Sequence, residues 1–395
     1  NELTLWASSI LHFSQFICQI ISQPRGPVMT TTTPVQPVAK SVIENVDQKD
    51  WDNPMGTDGF EFVEYSAREP VALATLFETM GFVAIAQHRS KNVTLYRQGD
   101  INFILNNEPD SQAESFSSVH GPSANAFAIR VKDVGVAVKE LGTRGAKILA
   151  SGAGPMELNI PAIEGIGGSL LYLVDLYGDE SIYDIDFKPI AGVDQHPQGV
   201  GLTYIDHLTH NVERGHMDLW SNFYERFFNF REIRFFHIEG ASTGLNSRAM
   251  TSPCGKIRIP INESADDKSQ IAEYLREHKG EGIQHIALGT ADIFGSVVAL
   301  RDKGVVFMDT LNAYFDQLDA RLPGHGENIE RLRELKILMD GNPEEGILLQ
   351  IFSEVVIGPL FFEIIQRKGN QGFGEGNFQA LFESIELDQQ RRGVV

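Results

Sequence analysis

The chain has 395 residues, more than one ordinary hydrophobic core holds, so two domains are expected. Apolar residues make up 42% and charged residues 22%, a globular balance, and 53 acidic against 33 basic residues leave a formal charge of -20. Such a surface repels phosphate backbones and anionic lipid, which excludes nucleic acid and membrane surfaces as partners. Two cysteines, Cys18 and Cys254, are too few for a disulfide framework or a zinc-thiolate cluster and point to a reducing cytoplasm.

The chain opens on Asn1. Its stretch 3–21 is apolar but broken by His12, Ser14 and Gln15. It lacks the basic start of a signal peptide and is borderline for a span of ~20 apolar residues. Residues 1–28 read as upstream sequence ahead of a start at Met29, within an extension over 1–54 that turns Thr- and Pro-rich.

Four short apolar segments then recur: GFEFVEYS from Gly59, NAFAIRVKD from Asn125, YIDHLTHNV from Tyr204 and GIQHIALGT from Gly282. They align on Phe62, on Phe127 or Ala128, on His207 and on His285. Their β-branched and aromatic content predicts strands. Each is followed by an amphipathic stretch of helical period, over 70–80, 134–144, 217–227 and 293–303. Further strand-like runs follow each helix, at 93–96 and 101–105, at 169–174, at 257–261, and at 347–352 with 360–366.

The repeating unit is therefore strand, helix and about three strands, used four times. Two units per domain predict an α+β fold. A domain over 55–190 has no metal, the Gly/Pro-rich stretch 191–201 is a linker, and a catalytic domain spans 202–378. Beyond it, 379–395 hold a terminal helix and tail able to cover a site.

The repeat places His207 and His285 at equivalent positions of first strands, and Glu363 follows 78 residues after His285 among Phe361, Phe362, Ile364 and Ile365. A carboxylate in such surroundings costs several kcal/mol unless partnered. Two His and one carboxylate with positions left open suit O2 chemistry at non-haem iron, one Fe(II) per chain. A histidine on an apolar strand is by itself more often a core residue, and Glu363 by itself could pair with Arg367. Recurrence at one phase of a repeat is what favours the metal. His210 points off the other face of the strand and is set aside. His216, His237 and His325 lack carboxylate company at readable spacing. The glycines of GFGEGNF, from Gly372, follow no phosphate-binding fingerprint and read as a hinge.

Taken together, IDHLTHNV, GLNSRAM, RIPINE, KSQIAEYL, GIQHIAL, ILLQIFSE, FFEIIQRKG and GFGEGNFQALFESIE resemble the 4-hydroxyphenylpyruvate dioxygenases from about Gly56 to Val395. The resemblance implies the vicinal oxygen chelate fold of tandem βαβββ modules, and the same iron ligands, His207, His285 and Glu363. It also implies a substrate pocket of Ser247, Pro260, Asn262, Gln270, Gln284, Gln350, Phe352, Phe361, Phe373, Asn377 and Phe378. Among these Gln284, Phe378, Asn262 and Gln270 are expected to bear on catalysis. The substrates implied are 4-hydroxyphenylpyruvate and O2, the product homogentisate with CO2, and the assembly a homo-oligomer, dimer or tetramer. The nearest alternative is a hydroxymandelate synthase, which attacks the benzylic carbon; the aromatic Phe378 favours ring attack. A second alternative is a metal-free small-molecule binder of the same fold, which would not need the three ligands together.

Overall fold

The computed structural model describes residues 51–149, 153–154, 156–239 and 244–377. The N-terminal extension before residue 51, the terminal helix and Phe378 lie outside the described residues. No helix among the described residues is long and apolar enough to cross a membrane.

Two curled mixed sheets carry the fold. The first contains β1 (Thr57–Ser66), β2 (Val83–His88), β3 (Val93–Gln98), β4 (Ile101–Asn106), β5 (Ser123–Val131), β6 (Ile148–Leu149), β7 (Ala162–Glu164), β8 (Leu170–Val174) and β9 (Phe187–Pro189). The second contains β10 (Leu202–Val212), β11 (Arg231–Glu239), β12 (Gly244–Thr251), β13 (Arg258–Ser264), β14 (Gly282–Thr290), β15 (Leu338–Asn342), β16 (Gly346–Phe352) and β17 (Phe361–Lys368). Strand order is β6-β7-β8-β5-β1-β4-β3-β2-β9 in the first sheet and β11-β12-β13-β10-β14-β17-β16-β15 in the second. In all four modules the opening strand pairs parallel with the last: β1 with β4, β5 with β8, β10 with β13, β14 with β17. The opening strands of paired modules run antiparallel, β1 with β5 and β10 with β14. This is the βαβββ repeat read from the sequence, used four times.

Helices α1 (Pro70–Thr79), α2 (Gln112–His120), α3 (Val134–Thr143), α4 (Met217–Phe228), α5 (Gln270–His278) and α6 (Ile293–Asp302) pack on the sheets. Their starts are written locally. Pro70 stands at the first turn of α1, where no donor is lost. Asp133 and Asp292 cap α3 and α6 by accepting from Val136 N and Gly295 N. Helix α4 ends on Asn229 in the left-handed region, φ 56°. Helices α2 and α5, absent from the sequence reading, join the modules of each sheet.

The outer faces of both sheets and the helices share one core. Phe103 of β4 stacks on Phe362 of β17 with centroids 5.9 Å apart, and Phe127 of β5 meets the His210 ring at 6.2 Å. Burying rings of this kind contributes roughly 1.5–3 kcal/mol each. The segment 190–201 between the sheets is held on the first one, with Gly99 N donating to Pro197 O and Val200 N to Gln98 Oε1.

Register defines the pseudo-two-fold relation within each sheet. His207 pairs with Ala287 and Thr209 with His285, so each histidine lies two residues from the other's partner. In the first sheet Phe62 pairs with Ala128 and Glu64 with Ala126, so the counterpart of Phe62 is Ala126. The sequence alignment on Phe127 or Ala128 therefore missed the position by one or two residues. Phe127 lies on the outer face with the shared core. Carried to β8, the relation puts Tyr172 where Glu363 stands on β17. The inner face of the first sheet is thus plugged by Phe62 against Tyr172, centroids 5.7 Å apart, where the second sheet has ionisable side chains.

Candidate metal centre

Strand β10 has a bulge between Ile205 and His207. A bulge lets neighbouring residues share a face, and here Asp206 and His207 are both buried, with Asp206 Oδ1 2.9 Å from His207 Nδ1. A carboxylate only accepts, so Nδ1 carries the proton and Nε2 is left as a lone-pair donor. His285 on β14 is held the same way, its Nδ1 2.9 Å from Gln284 Oε1.

Both Nε2 atoms face Glu363 Oε2, at 3.2 Å from His207 and 3.5 Å from His285. Among the described residues this is the one group of three such side chains whose ligand atoms all lie within 4.8 Å of one another. Glu363 is 2% exposed and its other oxygen, Oε1, has no hydrogen-bond partner among the described residues. Burial works against its charge, yet the two imidazoles hold its carboxyl below the usual range. For His207, burial opposes protonation but Glu363 and Asp206 outweigh it; for His285 burial prevails and lowers its pKa. A buried carboxylate with one oxygen facing two imidazole Nε2 atoms and the other unpartnered among the described residues fits a divalent cation. The two-fold carries Glu363 to about Pro260 on β13, which offers no ligand.

Phe361 stacks on the His285 ring at 4.9 Å, Phe352 stands edge-on to it at 6.3 Å, and Phe373 stands edge-on to His207 at 5.6 Å. Gln350 pairs across from Ile365, on the same face as Phe352 and Glu363; it is fully buried and neither amide atom has a hydrogen-bond partner among the described residues. Ser247 pairs with Asn262 and Ala249 with Pro260, which brings those positions of β12 and β13 to one face, and Ala249 clusters with Phe373. Gln284 reaches the centre through His285 alone. Asn377 Oδ1 accepts from the Tyr314 hydroxyl at 2.5 Å, and its Nδ2 has no partner. Gln270 opens α5 half-buried, and no hydrogen bond among the described residues joins its side chain to the centre.

Several partners were not legible in the sequence. Arg367, a candidate partner of Glu363, instead pairs with Asp206, and Arg258 approaches the same carboxylate at 3.8 Å. Thr209 places its hydroxyl 2.9 Å from His285 Nε2. His216 and His325 do have carboxylate company, Glu281 at 2.7 Å and Asp319 at 3.2 Å. The His216 pairing spans 65 residues, beyond any local spacing rule. His210 bonds to the Tyr224 hydroxyl at 2.6 Å, away from the centre.

Residues 51–188 match the family model "Hydroxyphenylpyruvate dioxygenase, HPPD, N-terminal", and residues 204–318 match "Glyoxalase/Bleomycin resistance protein/Dioxygenase superfamily". A 4-hydroxyphenylpyruvate dioxygenase of Pseudomonas aeruginosa is 63% identical over 87% of this chain and 97% of its own length. A protein of Vibrio vulnificus named Hemolysin VllY is 62% identical over 87% of this chain and 98% of its own. Among solved structures, a triple mutant of 4-hydroxymandelate synthase from Streptomyces coelicolor superposes with a TM-score of 0.74 at 27% identity, covering 85% of this chain and 100% of that one.

Proposed function

Because the chain belongs to the 4-hydroxyphenylpyruvate dioxygenase family, we propose that it converts 4-hydroxyphenylpyruvate and O2 to homogentisate and CO2 at a single ferrous ion. His207 Nε2, His285 Nε2 and Glu363 would hold the ion. The observation that carries this reading is the convergence of the two Nε2 atoms on one buried carboxylate oxygen. When bound, ferrous iron supplies a chelation point for the 2-oxo acid and reactivity toward O2.

The chain's own residues do the rest. Asp206 and Gln284 orient the two imidazoles by accepting from Nδ1. Phe352, Phe361 and Phe373 line the centre with rings and exclude water from it. Gln350, with both amide atoms free, supplies a donor and an acceptor to substrate without adding charge. Ser247, Pro260 and Asn262 form the facing wall on β12 and β13, and Asn377 offers its free amide from the far side. Gln270 and Phe378 complete the pocket in this reading, Phe378 as the wall that directs attack to the ring.

The likeness to 4-hydroxymandelate synthase supplies a second reading, benzylic hydroxylation of the same substrate. Oxygen uptake with 4-hydroxyphenylpyruvate, with and without added Fe(II), tests the activity, and product identity separates the readings. Homogentisate is expected; 4-hydroxymandelate establishes the second reading, and no iron-dependent uptake removes both.

A further inference from the structure

The inner face of the first sheet is not filled along its whole length. A cavity of about 640 Å³ opens on it, lined by residues of β1 to β5 and of the segments around 177–196. That lies within the ~300–1,000 Å³ of small-molecule sites. Glu61, Asn102 and Arg130 line it together with the apolar side chains of Ile85, Leu95 and Phe187.

Glu61 stands beside Phe62 as Asp206 stands beside His207, each next to a bulge in the opening strand. In the second sheet that acid orients a histidine. In the first sheet there is no histidine to orient, yet the acid is kept, 2% exposed, with Arg130 Nε donating to its Oε2 at 2.5 Å. Burying such a pair costs desolvation that an apolar pair would not. Burial pushes the Glu61 carboxyl up, and Arg130 pulls it back only in part.

Three further observations define a ligand. Arg130 makes no hydrogen bond from its terminal nitrogens to the described residues, and Arg97 engages Asn102 Oδ1 through Nε at 2.8 Å while lying over the Tyr183 ring at 5.2 Å. The Tyr183 hydroxyl is buried and faces the Glu61 carboxylate without a well-aligned hydrogen bond among the described residues. Glu61 offsets one guanidinium, so the interior has one positive charge in excess, whereas Asp100, Asp179 and Asp184 stand exposed at the rim. A positive interior behind an acidic mouth disfavours dianions such as phosphate and favours a molecule with a carboxylate at one place and an ammonium at another.

We propose that this cavity binds a free α-amino acid with an apolar or aromatic side chain. Its carboxylate meets the guanidinium groups of Arg97 and Arg130, its ammonium faces the acidic rim, and its side chain lies on Ile85, Leu95 and Phe187. The site is separate from the metal centre and does not depend on the activity assigned there.

Isothermal titration of the full, metal-loaded chain with L-phenylalanine tests it. One site per chain is expected, with phenethylamine and 3-phenylpropanoate each binding at least about tenfold more weakly, since each lacks one charge-assisted contact. Arg97→Gln is expected to weaken L-phenylalanine by about tenfold or more. Tyr183→Phe removes the hydroxyl that faces Glu61 under Arg97, so it should weaken binding, and thermal unfolding read alongside separates this from a loss of fold. No heat with L-phenylalanine or L-leucine at millimolar concentration overturns the proposal. Unchanged affinity in both variants overturns it too, by assigning the heat to another site, and 3-phenylpropanoate binding as tightly as L-phenylalanine removes the amino acid as the ligand.

Discussion

Arg367 grips Asp206 with two parallel hydrogen bonds, Nε to Oδ2 and Nη2 to Oδ1, each 2.7 Å. Asp206 accepts from His207 Nδ1 as well, so β17 supplies the carboxylate of the candidate metal centre, Glu363, and also the cation that fixes the orienting acid of β10. Asp206→Asn keeps the shape and removes the charge, leaving Arg367 and Arg258 without their counter-ion. A buried cation so stranded costs about 3–5 kcal/mol, and loss of an orienting acid lowers metal affinity ~10–100-fold. Urea unfolding and Fe(II) titration of this variant check both; wild-type metal affinity would confine Asp206 to a structural role.

Glu363→Gln separates metal binding from folding. The carboxylate is buried with one oxygen unpartnered, so neutralising it removes a buried charge without opening a cavity. The imidazoles of His207 and His285 hold that carboxyl below its usual range, so its charge stabilises the folded metal-free chain, and the metal-free variant should unfold at or below the wild-type temperature. A metal at 100 times its dissociation constant adds about 2.7 kcal/mol to wild-type stability, and that Fe(II)-induced rise should vanish in the variant together with turnover. A retained rise would take Glu363 out of the ligand set.

How much of this was legible beforehand follows from the kind of signal. Four strand–helix openings could be read because period-2 and period-3.6 patterns are local, and the helix limits came within a residue or two. His207, His285 and Glu363 could be read because the repeat places two of them at one phase. The exact counterpart of Phe62 could not, since the bulges around Phe60 shift the phase and are set by cross-strand pairing. The Asp206–Arg367 pair spans 161 residues, and no sequence rule joins an acid on one strand to a guanidinium on another two strands away. The linking helices α2 and α5 were missed because their apolar faces are short, with Ala113 and Phe116 buried in one and Ile271 and Tyr274 in the other.

Gly374 has φ +77° and lies against the Gln350 amide so closely that an added Cβ would collide with it. Gly374→Ala should cost about 1 kcal/mol or more from the backbone alone. It should also displace the Gln350 amide, whose two atoms have no hydrogen-bond partner among the described residues. The expected outcome is a KM for 4-hydroxyphenylpyruvate raised several-fold with the metal-induced stabilisation intact. Steady-state kinetics beside thermal unfolding reads both, and an unchanged KM would place Gln350 away from substrate.

The contact between α2 and α5 predicts how stability responds to acid. His120 and His278 stack with centroids 4.4 Å apart, and His120 Nδ1 donates to His278 O at 2.7 Å. Burial, and then the neighbouring His120, push His278 from 6.5 down to about 3. The unfolded chain takes up this proton near pH 6.5, while the folded chain does not until about pH 3. Between those values the unfolded state binds more protons, so the contribution is fully present above pH 6.5 and is lost as pH falls, by up to about 1.4 kcal/mol per pH unit. His278→Leu removes that proton, so its stability should fall less steeply than wild type between pH 6 and 4, whatever its absolute value at pH 7. Urea midpoints across that range measure the two slopes. Equal slopes would mean that His278 takes up its proton in the folded protein and that its burial at the α2–α5 contact does not hold it neutral.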